Sequence, residues 1–207
     1  IETFTQIRTI RLFQSFGLSL DEIRNYFNDT TDLTPLIQRL KALRNNIDLC
    51  ISELSERANE IPNQIKEITV SSQTVYCIKD NATTVKDKLA ALTQAAIDAM
   101  HQYGTDTTKR MYFTEYALYH NEETSYCVTV PSNSKGEHIV NFPSFRAISM
   151  YHYGAYEYIA NTREQLINYA KVNNIKLLGV CRQLYLEGPP QHKDKNKFIT
   201  KIILPIK

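Results

Sequence analysis

One stretch of pattern narrows the possible folds more than any other: from Thr74 to Ile206 the chain runs through strand, helix, strand, strand, and then repeats that order. In the first pass Thr74 to Lys79 alternates as a strand, and Thr83 to Tyr103 carries Leu89, Leu92, Ala96, Ala99 and Met100 at helical spacing. Met111 to Tyr119 and Tyr126 to Val130 follow as an antiparallel pair. In the second pass Arg146 to Tyr153 is a strand, Thr162 to Asn173 a helix with Leu166, Ile167 and Ala170 inward, and Leu178 to Leu186 and Phe198 to Ile206 are strands. The repetition predicts an α+β domain over 70–207, a pseudo-twofold βαββ–βαββ antiparallel sheet.

Side chains two apart on a strand share a face, which gives the repeat chemical meaning. Aligning Tyr112-Phe113-Thr114-Glu115-Tyr116 with Cys181-Arg182-Gln183-Leu184-Tyr185 puts Tyr112, Thr114 and Tyr116 in the same relation as Cys181, Gln183 and Tyr185. Matched strands then offer polar and aromatic groups to one place. The competing expectation is that these rings pack the core with hydroxyls at its rim; their coincidence on matched strands favours a cleft.

Upstream the period changes. Ile7, Ile10, Phe13 and Phe16 recur about one helical turn apart, Thr3 and Gln6 have capping-box spacing, and a helix from about Phe4 to Phe16 is expected. Gly17 suits a left-handed helix end, and Ser19 before Asp21-Glu22 suits the next N-cap, so residues 1–30 read as a helical hairpin. From 31 to 62 Leu33, Leu40, Ile47, Leu54 and Ile61 recur every seven, with Leu36, Leu43 and Cys50 in the second seam position. That is a coiled-coil dimerisation pattern on a helix roughly 40 Å long. Its stripe needs a cover. A second copy is preferred, because only the short hairpin is otherwise available; packing on its own domain is the alternative. Pro62 ends the helix, and 62–72 reads as a boundary.

Composition prunes the function classes. Lys+Arg 24 against Asp+Glu 22 is no nucleic-acid-binding field, and 43% hydrophobic residues with no apolar run of about 20 argue for a soluble chain, cytoplasmic, with no membrane partner. Cys50, Cys77, Cys127 and Cys181 form no C-x-x-C pair, and the histidines show no ligand spacing. Four reduced, mostly buried thiols are expected, with no metal and no cofactor. Tyr 13 and Phe 8 with Trp 0 single out the phenol and phenyl rings.

The residues also resemble a known family. Ile7-Arg8-Thr9-Ile10-Arg11-Leu12-Phe13-Gln14-Ser15-Phe16-Gly17-Leu18-Ser19-Leu20-Asp21-Glu22-Ile23-Arg24 is similar to the segment after the winged helix in MerR-type transcription regulators. The leucine-heptad helix is similar to their antiparallel dimerisation helix. The remainder resembles the GyrI-like effector-binding domain of the multidrug-responsive branch: His152-Tyr153-Gly154-Ala155-Tyr156 fits its H-x-G-x-Y turn, and Arg182-Gln183-Leu184-Tyr185-Leu186-Glu187-Gly188-Pro189-Pro190 its R-E-x-Y-x-x-x-P strand. Ile203-Leu204-Pro205-Ile206 fits its last strand. The resemblance implies a homodimer that binds lipophilic aromatic small molecules, cationic ones included. It also implies that the intact protein binds promoter DNA and, with effector, deforms the spacer for RNA polymerase, at a cost of about a few kcal/mol. The winged helix would precede Ile1, so the present chain is expected to lack specific DNA affinity.

Carried over residue by residue, the ligand-binding candidates are Tyr112, Gln183, Tyr185 and Phe198, with Phe145 and Tyr153 at the ends of the second-unit first strand; Tyr116 joins them from the matched strands. Gln183 stands where the family has glutamate, which removes the charge that attracts lipophilic cations. Glu115 alternates with Tyr116 and points away, and Glu187 lies near the strand end, so neither is expected to replace it. For Phe198 core packing weighs as much as ligand contact. The leading expectation is a ligand sensor and not an enzyme. The rival is a GyrI-like hydrolase of small lipophilic electrophiles, opposed by the inability of Gln183 to act as a general base.

Overall fold

The computed structural model describes residues 2–28, 33–58, 64–105, 110–119 and 123–207. It separates into two compact units, Ile1–Glu60 and Ile61–Lys207.

In the first unit α1 (Glu2–Ser15) turns into α2 (Leu20–Phe27) through a tight cap. Gly17 takes φ 77°, Leu18 N donates to Phe13 O at 3.1 Å and Gly17 N to Gln14 O at 2.9 Å, the paired bonds of a Schellman motif. Ser19 then caps α2 with a complete capping box to Glu22. Thr3 lies inside α1, which begins at Glu2, so its spacing to Gln6 marks no helix start. Phe13, Leu18 and Ile23 are buried under Leu36, Leu40 and Leu43 of α3 (Thr34–Ala58). Three of the eight expected seam residues are therefore covered within the unit. Leu33, Ile47 and Leu54 are 48%, 59% and 60% exposed, Cys50 is exposed, and Phe16, expected on the buried side, is 48% exposed. Ile61 lies outside the described residues.

The second unit is one eight-stranded antiparallel sheet: β1 (Lys66–Val70), β2 (Gln73–Asp80), β3 (Tyr112–Ala117), β4 (Thr124–Thr129), β5 (Ile139–Phe142), β6 (Phe145–Tyr153), β7 (Val180–Glu187) and β8 (Ile199–Pro205). Its order is β1-β6-β8-β7-β3-β4-β2-β5. Read outward from the β7·β3 pair, β8 and β6 on one side mirror β4 and β2 on the other. The pseudo-twofold α+β architecture expected from the repeat is thus present, with one edge strand added to each half. Those additions were not anticipated: β1 occupies the stretch read as a boundary, and β5 is only four residues long.

Helix α4 (Val85–Tyr103) is capped by Thr84 and buries Leu92, Ala95 and Ala99 against Tyr76, Tyr126 and Val128. Helix α5 (Ile159–Val172) buries Ile159, Leu166 and Ala170 against Met150, Cys181, Ile202 and Leu204. It starts at Ile159, ahead of the expected Thr162, after a 3-10 turn at Tyr156–Tyr158. Val75, Phe113 and Cys127 form a separate cluster with Cys77, Phe142 and Leu184. Of the four thiols only Cys127 and Cys181 are buried; Cys77 is half-buried with its sulfur 3.1 Å from that of Cys127.

Candidate functional site

The site is built on the central strand pair. Antiparallel register sets Tyr112 opposite Tyr185, Thr114 opposite Gln183 and Tyr116 opposite Cys181, so the pseudo-twofold passes through Thr114 and Gln183. Thr114 and Gln183, equivalent under the repeat, meet on the axis, and a chain of hydrogen bonds joins them to the equivalent pair Tyr116 and Tyr185. Gln183 Nε2 donates to the Tyr116 hydroxyl at 2.7 Å, and the Tyr185 hydroxyl donates to Gln183 Oε1 at 3.2 Å. Thr114 Oγ1 lies 3.2 Å from the Tyr185 hydroxyl, whose hydrogen is already committed, so Thr114 is the donor there. The amide is held at both ends.

Above these strands opens a cavity of about 520 Å³. Val85, Lys88, Leu89 and Leu92 line it from α4; Tyr156, Ile159, Ala160 and Arg163 line it from α5 and the turn before it. Both sets follow the spacing i, i+3, i+4, i+7, one face over two helical turns. The repeat therefore supplies the walls as well as the floor, with Arg163 standing where its counterpart helix has Leu92. Arg163 Nη1 donates to the Tyr116 hydroxyl at 3.0 Å, giving that oxygen two donors.

Tyr156 is placed by a buried histidine. His152 Nε2 lies 3.0 Å from the Ala155 carbonyl, which can only accept, so Nε2 donates there, and Nδ1 lies 2.9 Å from Thr162 Oγ1. This ring fastens the turn to α5. Tyr156 then meets Tyr185 edge-on, with centroids 5.4 Å apart, and leans on Phe198 at 5.1 Å. A Cβ at Gly188 would collide with the Tyr156 hydroxyl. Burial pushes the phenols up: Tyr156 to about 12, and Tyr116 and Tyr185 further. Burial likewise raises the Cys181 thiol to about 11. At neutral pH these groups are all protonated.

Three of the seven expected ligand residues, Tyr116, Gln183 and Tyr185, line the cavity together. The others lie elsewhere. Tyr112 shares their strand face but packs into the α4 cluster. Phe198 is 4% exposed and backs Tyr156 without reaching the cavity. Tyr153 is exposed beside Tyr151. Phe145 stacks on Arg182, whose side chain alternates away from Gln183. Tyr156 and Arg163 were not anticipated.

The cavity's charges are few. Lys88, Glu157 and Arg163 are its charged lining residues among those described, and Glu157 is bound by Lys195 Nζ at 2.7 Å. Glu115 is held on the opposite side by Arg182 at 2.8 Å, and Glu187 pairs with His192, so neither carboxylate takes the place of Gln183. Among the described residues no cluster of three or more His, Cys, Asp or Glu side chains could hold a metal ion, and no helix is long and apolar enough to cross a membrane.

Comparison with known proteins agrees with this geometry. The C-terminal domain of EcmrR has the same fold, at 20% identity over 70% of this chain and 97% of that one, with a TM-score of 0.63. EcmrR in its DNA complex, EcmrR-RPo, matches over 100% of this chain and 84% of that one, at 19% identity and TM-score 0.64. A hydrolase from Listeria innocua is more distant, at 10% identity over 76% and 98% of the two chains and TM-score 0.50. No curated protein matches the sequence. The family model for the GyrI-like small-molecule-binding domain matches residues 44–207, which include the entire sheet, both helices over it and the cavity between them; the chain belongs to the GyrI-like family.

Proposed function

We propose that the chain is the dimerisation and effector-binding portion of a MerR-type transcription regulator, acting in the cytoplasm on a lipophilic aromatic small molecule. The observation that carries this reading is the Gln183 amide, fixed between Tyr116 and Tyr185 on the wall of a cavity of about 520 Å³. Small-molecule sites are typically of about 300–1,000 Å³, largely pre-formed, with a few fixed polar groups among apolar and aromatic walls. Preorganised phenols and an amide offer that without the loss of side-chain entropy on binding. The likeness to EcmrR, determined in complex with DNA, supports a regulator whose effector domain is joined to a DNA-reading one. The apolar stripe Ile47, Ile51 and Leu54, each more than half exposed on α3, supports a homodimer.

Binding suits this site better than turnover. An amide cannot accept a proton at neutral pH, and phenols held above their usual range by burial are poor bases there. Titration with aromatic compounds should raise the melting temperature at micromolar concentration. Ala160→Trp, which fills the cavity from an exposed helix position, should abolish that rise while leaving the unliganded protein folded. A folded protein whose melting point no aromatic compound moves would overturn the reading. Ester hydrolysis by the wild-type protein, lost in Ala160→Trp, would favour the hydrolase instead.

A further inference from the structure

We propose that the cavity selects an aromatic ligand bearing a carboxylate, with Arg163 as its charge partner and Lys88 at the rim. This rests on the reading of the cavity as an effector site and fixes the charge class of the effector.

Arg163 is half-buried, and its hydrogen-bond partner among the described residues is the Tyr116 hydroxyl. That phenol is held protonated by burial, so it orients the guanidinium without neutralising it. Glu164, next in the chain, is exposed and forms no ion pair with Arg163. A half-buried guanidinium whose hydrogen-bonded partner is a neutral phenol keeps its charge available to pair with an anion that a ligand supplies. Its planar fork is matched to two carboxylate oxygens.

The rest of the lining points the same way. Lys88 is exposed and makes no ion pair among the described residues, while the one carboxylate of the lining, Glu157, is already taken by Lys195. Gln183 is neutral. A cation entering the cavity would meet Arg163 and Lys88 against the single, Lys195-paired carboxylate of Glu157, whereas an anion would meet two lining cations. Tyr156, Tyr185, Leu89 and Leu92 supply the surface for the rings.

The test is a set of near-isosteric probes on the same ring system: 2-naphthoate, 2-naphthamide and 2-naphthylmethylammonium, titrated into the full chain by calorimetry at pH 7 and low salt. The carboxylate should bind at least about tenfold more tightly than the amide, and the ammonium most weakly. Arg163→Gln should bring carboxylate and amide affinities within about threefold of one another. Gln183→Glu should move the ammonium ahead of the carboxylate, an independent check should Arg163→Gln fail to fold. Amide or ammonium binding as tightly as the carboxylate to the wild-type protein would overturn the charge class and leave the effector site standing. Failure of all three probes to bind a folded protein would overturn both.

Discussion

Two arginines on opposite sides of the same sheet show what a finished site and an open one look like. Arg182 is 2% exposed, and every direction around its guanidinium is occupied. Its Nε and Nη2 donate to Glu115 Oε2 at 2.9 and 2.8 Å, and Nη1 donates to Gln73 Oε1 at 3.0 Å. Phe113, Phe142 and Phe145 stand 4.2, 4.7 and 5.0 Å from its centre. Arg163 has one aromatic partner, Tyr116, whose hydroxyl accepts its hydrogen bond and whose ring centre lies 5.9 Å away, and otherwise faces a cavity. The first is a structural charge whose partners came with the fold. The second is a half-buried charge whose hydrogen-bonded partner is a neutral phenol at a cavity.

The largest effect should come from breaking the finished site. Arg182→Met leaves Glu115 beside an apolar cage without its cation, which typically costs roughly 3–5 kcal/mol. In a unit of this size that lowers the melting temperature by about 10 °C. Replacing both partners, Arg182→Met with Glu115→Leu, should recover much of the loss. Arg163→Met should change the melting temperature little and suppress ligand binding. Equal destabilisation by the two single variants would erase the distinction between the arginines.

The same contrast runs along α3, in apolar terms. Leu36, Leu40 and Leu43 are covered by the hairpin, while Ile47, Ile51 and Leu54 continue as an exposed stripe. If a second copy covers that stripe, Ile51→Glu with Leu54→Glu should weaken self-association about a hundredfold or more, read by sedimentation over a concentration series. Leu40→Glu should instead unfold the hairpin, seen as lost helicity at every concentration.

Much of the sheet domain could be read from the chain, and the exceptions have physical reasons. The repeat and its strand parity were enough to put Tyr116, Gln183 and Tyr185 together and to turn Glu115 away, because a period of two leaves only two faces. Parity cannot say which residues on a face a helix covers, and α4 covers Tyr112. Tyr156 and Arg163 were hidden by a helix start set too late. With the helical register carried back to Tyr156, residues 156, 159, 160 and 163 repeat the spacing of 85, 88, 89 and 92. Leu89 carried a matching signal: an apolar residue on the buried stripe that is 37% exposed, because that turn overhangs the cavity. The edge strands escaped because β1 buries neither face fully and β5 is too short to show a period.

A charge placed on the axis sharpens the comparison further. Gln183→Glu sets a carboxylate within reach of the Tyr116 hydroxyl that Arg163 also contacts, giving Arg163 the kind of partner Arg182 has. The variant should lose about tenfold or more in affinity for aromatic carboxylates, about 1.4 kcal/mol, measured by calorimetry. An unchanged affinity would mean that the anion does not bind near the axis.

The smallest change expected is at Tyr185, and it separates the hydroxyl from the ring. Tyr185→Phe keeps the edge-on contact with Tyr156 but removes the bond to Gln183 Oε1 and the acceptor for Thr114. A single net hydrogen bond is worth about 0.5–1.5 kcal/mol, so a loss near 1 kcal/mol at pH 7 is expected from urea denaturation. The pH dependence supplies the sign. Burial raises Tyr185 above its ordinary value near 10, so the folded state holds its proton more tightly than the unfolded chain. The stability carried by the neutral phenol is complete below about pH 10 and drains away as pH rises from there toward the folded value, by up to about 1.4 kcal/mol per pH unit. Tyr185→Phe has no proton to lose, so its stability should fall less steeply above pH 10 than that of the wild-type protein. The two curves should converge as pH rises; parallel curves would mean that water reaches the hydroxyl, and that the amide lining the cavity is not held as tightly as the Arg182 cage behind it.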